Sequence, residues 1–147
     1  MNTATGRGFS VIELLAALAI VGLLAGIALP AWNRFLPSYY LSSSARLVHS
    51  ELQGLRIRSA AENASFRLAY AAGATSIEIE RDGKTLARKP LPKGVSITQA
   101  GSIAFSPRGT ASANRVRLSG GDGSCRQVVV SATGRVRGCR AACGSDC

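Results

Sequence analysis

Residues 6–33, GRGFSVIELLAALAIVGLLAGIALPAWN, decide how the rest of the chain is read. Between Glu13 and Arg34 lie 20 residues without a charge. A helix needs about 20 such residues to cross the hydrocarbon core of a bilayer. A cleaved secretory signal has a shorter apolar region, about 7–15 residues, and no small-x-small site follows here before the chain turns polar. A buried core helix has no need of an apolar surface all round. Residues 14–33 therefore read as a membrane-inserted helix. Glu13 sits just inside it. A carboxylate at the centre of a span costs about 2.5–3.5 kcal/mol, so a partner is expected; at headgroup level the helix dipole would favour the anion instead.

Outward from that helix, 147 residues leave room for one soluble domain and no multidomain enzyme. Eighteen Lys and Arg against eight Asp and Glu give a net charge of +10 and favour acidic partners. With 46% hydrophobic residues, disorder of the whole chain is excluded. The charge is uneven. From Lys84 to Cys147 eleven basic residues are opposed only by Asp122 and Asp146, whereas residues 34–83 carry six basic and five acidic side chains.

After Pro37 the pattern turns amphipathic. Leu41, Ala45, Val48, Leu52 and Leu55 recur at helical spacing and share one face, with Ser42–Ser44, Arg46, Glu51 and Arg56 elsewhere, so the helix is expected to continue to about Ala61. Beyond it strands dominate. Phe66–Tyr70 alternates, Ile77–Glu80 alternates strictly, and Asp82-Gly83 is a hairpin signal before Lys84–Arg88. Short runs follow at Val95–Thr98, Ile103–Phe105, Val116–Leu118, Val128–Val130 and Arg135–Arg137, separated by Gly, Pro, Ser and Asn.

The run Gly6-Arg7-Gly8-Phe9-Ser10-Val11-Ile12-Glu13-Leu14-Leu15 resembles the class III signal of type IV prepilins and type II secretion pseudopilins. That resemblance implies cleavage by a prepilin peptidase after Gly8, methylation of the new N-terminal residue Phe9, and pairing of Glu13 with a neighbouring subunit's N-terminal amine during assembly. Gly22 and Pro30 stand where this family breaks its helix in filaments, and proline removes a backbone donor there. The implied fold is α+β and pilin-like, a long N-terminal helix packed on small antiparallel sheets. The implied organisation is a leader at 1–8, a helix at 9–61 whose part 9–33 serves the membrane and assembly, and a β-rich periplasmic or pilus-exposed domain at 62–147. The chain would pass once through the bacterial inner membrane with its C-terminal domain periplasmic, then reach the pilus and cell surface.

A domain delivered outside the cytoplasm can keep disulfides. Cys125, Cys139, Cys143 and Cys147 form an even set with three connectivities open. A hairpin centred on Ala132 would set Cys125 opposite Cys139 and leave Cys143–Cys147 to close a terminal loop. Zinc is the alternative, but the spacing and the lack of a nearby histidine suit disulfides better, so no metal or other cofactor is expected.

The segment Thr133-Gly134-Arg135-Val136-Arg137-Gly138-Cys139-Arg140 carries the remaining chemistry. On a strand, Arg135 and Arg137 would point the same way about 6.5 Å apart, with Val136 inward. Guanidinium forks match phosphate oxygens bidentately, and Arg140 could add a third. A charged solvated face is the plainer account. The Gly-Arg-x-Arg pattern within VVVSATGRVRGC is similar to the FimT branch of the GspH/FimT minor pilins, which implies DNA contact by Gly134, Arg135 and Arg137 in natural transformation (competence). The expected partners are thus DNA phosphates, other pilin subunits, the prepilin peptidase and the inner membrane. The alternative is a GspH-like minor pseudopilin of a type II secretion system with a structural role and no DNA binding.

No catalytic constellation supports an enzyme. His49, the only histidine, reads as a surface residue, and nothing forms a Ser/His/Asp set or HExxH. Trp32, Tyr39 and Tyr40 suit a membrane interface, and Phe105 is the only aromatic beyond Tyr70, so stacking on bases has little support. DNA contact should be electrostatic and independent of sequence.

Overall fold

The computed structural model describes residues 10–140 and Cys143, with the backbone alone for residues 28–34. Its first element, α1 (Val11–Ala61), begins where Ser10 ends the preceding chain and accepts the first hydrogen bonds, from the Glu13 and Leu14 N–H groups to its carbonyl at 3.0 and 3.2 Å. The helix runs without interruption past Gly22, Pro30 and Pro37. Gly8, Phe9 and Cys147 lie outside the described residues.

The chain divides into two units, one ending at Phe35 and one starting at Leu36. In the first, Val11, Ile12, Leu14, Leu15, Leu18 and Ile20 are 58–74% exposed among the described residues. Among the described residues no helix is long and apolar enough to cross a membrane. The expected span at 14–33 includes residues whose side chains are not described.

The second unit holds two four-stranded antiparallel sheets. Strands β1 (Phe66–Tyr70), β2 (Ser76–Arg81), β3 (Lys84–Pro90) and β5 (Gly101–Phe105) form sheet A in the order β3-β2-β1-β5. Strands β4 (Val95–Ile97), β6 (Asn114–Gly120), β7 (Cys125–Val130) and β8 (Val136–Cys139) form sheet B in the order β4-β6-β7-β8. Asp82 and Gly83, at φ 49° and 80°, make the β2–β3 turn that the sequence predicts, because a two-residue hairpin of matching twist needs both in the left-handed region.

One core joins these layers. Leu41, Val48, Leu52 and Leu55 of α1 are fully buried against Phe66, Leu68, Ile79 and Phe105 of sheet A and Val116, Leu118, Val128 and Val130 of sheet B. Ser44 also lies on that face and is buried, which the reading of Ser42–Ser44 as off-face does not anticipate. Its hydroxyl is satisfied locally, donating to the Tyr40 carbonyl at 2.8 Å.

Tyr70 ties the sheets together. Its phenol crosses from β1 to donate to the Arg115 carbonyl on β6 at 2.7 Å, and burial pushes its pKa up from 10.0 to about 12. A group harder to ionise when folded stabilises the protein below its unfolded pKa, and that contribution is lost as pH rises from about 10 to about 12. Urea unfolding across that window should therefore show an alkaline loss of stability that the Tyr70→Phe variant lacks. An identical loss in both proteins would assign it to other groups.

Candidate nucleic-acid interface

Sheet B places its side chains by strand alternation. Val116 and Leu118 on β6 and Val128 and Val130 on β7 point into the core, so Arg115, Arg117, Gln127 and Val129 point to the other face. There Arg115, Arg117 and Val129 are half-buried, and Gln127 is buried in a cavity shared with Arg117, Cys125 and Cys143. Register then aligns three strands. Arg115 pairs with Val129, and Val129 pairs with Arg137, which sets two arginines on either side of a valine. With strands about 4.8 Å apart, their Cα atoms are separated by about 10 Å, and Arg117 follows Arg115 by about 6.5 Å along β6. None of the four strands of sheet B contains an Asp or Glu.

Four basic residues of α1 and sheet A are paired with acids. Arg88 pairs with Glu78 across β2 and β3, and Lys89 reaches Glu51 of α1. Arg81 holds Glu62 at 2.7 Å, and Arg58 holds it at 3.3 Å. Of the basic residues in the C-terminal half, Arg115, Arg117, Arg126 and Arg137 stand on strands of sheet B.

The motif residues are not all on one row. Arg137 is exposed on β8, but Arg135 precedes the strand in the β7–β8 turn, where its N–H meets the Ser131 hydroxyl at 3.2 Å and its carbonyl accepts the Ser131 N–H at 3.0 Å. It lines a cavity of about 390 Å³ with Gln53, Arg56, Ile57 and Val136. This replaces the two-arginine strand row expected from alternation: the turn takes five residues, Ser131–Arg135, so pairing starts only at Val136. Arg140 faces the α1 side, in a cavity with Arg46, His49 and Arg126. Gly134 is buried at φ 76°, and a Cβ there would stand 2.2 Å from the Gly109 carbonyl oxygen. Its place is to seat the turn.

Arg115 and Arg117 are the residues that reading the sequence does not single out. Their alternation with Val116 and Leu118 was available; their alignment with Arg137 needed the register.

The cysteine pairing also needs correction. Cys125 is bonded to Cys143, with Cα atoms 5.2 Å apart, not to Cys139, and Cys143 is therefore not closed on Cys147. Register is again the reason. Gln127 opposes Cys139 and Val130 opposes Val136, so the hairpin centres on Thr133 and Cys125 lies two residues beyond the partner of Cys139. Cys139 is disulfide-bonded as well. Tryptic cleavage after Arg140 separates Cys139 from Cys143. Non-reducing peptide mapping should recover the Cys125 peptide joined to the peptide 141–147, and a Cys125–Cys139 peptide free of 141–147 would contradict the register. Reduction should lower stability by about 2–4 kcal/mol, as expected for loops of this size.

Compared with known proteins, residues 40–134 match the profile of a family described as Type II transport protein GspH. The match ends one residue before Arg135. The crystal structure of the type IV minor pilin FimU from Pseudomonas aeruginosa (strain PAO1) is similar at 16% identity and a TM-score of 0.55, covering 70% of this chain and 90% of that one. The minor pseudopilin EpsH from the Type 2 Secretion System of Vibrio cholerae is similar at 11% identity and a TM-score of 0.59, covering 68% of this chain and 96% of that one. Both share the pilin-like architecture of one long helix on two small antiparallel sheets. No curated protein sequence matches the chain.

Proposed function

The chain belongs to the family described as Type II transport protein GspH, and from that membership we propose that it is a minor type IV pilin that enters a pilus and binds DNA phosphates without regard to sequence, for uptake in natural transformation. In this reading the prepilin peptidase removes residues 1–8, Phe9 is methylated, and Glu13 pairs with a neighbouring subunit. The apolar helix holds the chain in the inner membrane, with its second unit periplasmic, until the subunit joins the filament. The exposed apolar side chains of residues 11–27 support that step, since they are stable only in lipid or against other subunits.

The observation that carries DNA binding is the alignment of Arg115 and Arg117 of β6 with Arg137 of β8 on one face of sheet B, whose four strands contain no Asp or Glu. Arginine forks grip phosphate oxygens bidentately, and flanking aromatics that would read or stack on bases are missing from these strands.

Fluorescence anisotropy of unrelated duplexes with the full-length chain in neutral detergent tests the proposal. Equal affinities that fall steeply with salt support it. Absence of binding at low salt would leave the structural role of a pseudopilin.

A further inference from the structure

A second basic site lies on the opposite face of sheet B. Arg126 shares the side of β7 that carries Val128 and Val130, and the same register puts Gly138 of β8 opposite Val128. Gly138 has no side chain to fill the space beside α1, and a Cβ built there would meet nothing within 4 Å. The result is a cavity of about 410 Å³ lined by Ser42, Arg46 and His49 of α1 together with Arg126, Gly138 and Arg140. Among the described residues no carboxylate lines it.

We propose that Arg46, His49, Arg126 and Arg140 form a pocket for a phosphate group. Three guanidinium groups line it, and no described lining residue is a carboxylate. Desolvation of Arg126, followed by the charges of Arg140 and Arg46, disfavours its protonated form. An oxyanion removes that repulsion and accepts charge-assisted hydrogen bonds from the forks, with the Ser42 hydroxyl and the His49 ring within the same wall. The pocket uses neither Arg137 nor the face of Arg115 and Arg117, so it stands or falls apart from the DNA proposal. A backbone phosphate of nucleic acid and a free phosphate share this chemistry.

His49 is the only histidine of the chain, so its ring resonances report on the pocket alone. Inorganic phosphate should be titrated into the full-length protein in neutral detergent, with chloride holding ionic strength constant. Saturable shifts of His49 are expected. Arg126→Gln should weaken them by about tenfold or more, the loss of one charged hydrogen bond. Gly138→Leu should abolish them by filling the space, and Arg135→Gln with Arg137→Gln should leave them unchanged. In phosphate-free buffer Arg126→Gln should melt no lower than the unmodified protein, because a repulsive charge is gone. A duplex that displaces phosphate from His49 identifies a backbone phosphate as the occupant; one that binds without displacing it identifies free phosphate. Shifts no larger than chloride produces, or equal phosphate binding by Arg126→Gln, would overturn the pocket. A lower melting temperature for that variant in phosphate-free buffer would make Arg126 a structural prop and overturn it as well.

Discussion

Replacing Arg115, Arg117 and Arg137 together with glutamine is expected to flatten the dependence of log DNA affinity on log salt by roughly 2.7, because each phosphate contact contributes about 0.9. Affinity at low salt should fall on the order of a hundredfold or more, taking each charged hydrogen bond at the low end of its range. The loss should be the same for unrelated sequences. Tyr70 keeps its partner in this variant, because the Arg115 carbonyl belongs to the backbone, and a melting curve beside the binding assay checks that the fold is kept. Neutralising three basic residues elsewhere is the matched comparison. Lys84, Lys93 and Arg108 are exposed, and their loss should reduce affinity only through net charge, with a smaller change in slope. Equal losses in the two triple variants would mean that bulk charge, not the sheet, binds DNA.

Gly134→Ala should destabilise the protein by about 2–4 kcal/mol although it adds one methyl group and removes no charge. Two effects combine. The residue sits at φ 76°, a conformation that a side chain disfavours, and the new Cβ would come within 2.2 Å of the Gly109 oxygen and 3.1 Å of Arg56 Nε. The turn cannot simply yield, because the Ala111 N–H bonds the Ala132 carbonyl at 3.0 Å and fixes it to the β5–β6 loop. Gly123 provides the contrast. It has the same φ of 76° with nothing within 4 Å of a built Cβ, so Gly123→Ala should show only the backbone penalty of about 1 kcal/mol. Melting temperatures compare the two directly. Gly134→Ala should also weaken DNA binding by displacing β8. Equal melting of both variants would show that the contact with Gly109 does not hold the turn.

Local patterns carried most of the fold. Leu41, Val48, Leu52 and Leu55 declare a helix face by spacing alone, and Asp82-Gly83 declares its hairpin because few residues tolerate those dihedrals. What stayed hidden depends on pairing between distant segments. Whether Cys125 meets Cys139 or Cys143 turns on a hairpin centre one residue further along, at Thr133 instead of Ala132, and spacing alone does not set that centre. The same pairing decides that Arg137 aligns with Arg115, and that Arg140 turns toward Arg46. Ser44 shows the opposite failure. The spacing sets it off the apolar face of α1, yet it is buried, and an i−4 carbonyl satisfies its hydroxyl inside the core. The Gly-Arg-x-Arg pattern was visible as a motif, but its glycine turns out to be a packing residue and its two arginines to stand on different elements.

The most direct measurement is the footprint of DNA on the isotope-labelled full-length protein in neutral detergent. A short duplex should be titrated in while backbone amides and arginine Nε–H groups are followed by NMR. The account predicts saturable shifts at Arg115, Arg117, Val129 and Arg137, with β2 and β3 unaffected. Shifts confined to Lys84–Lys89 of β3, or none at any concentration below the onset of aggregation, would contradict it.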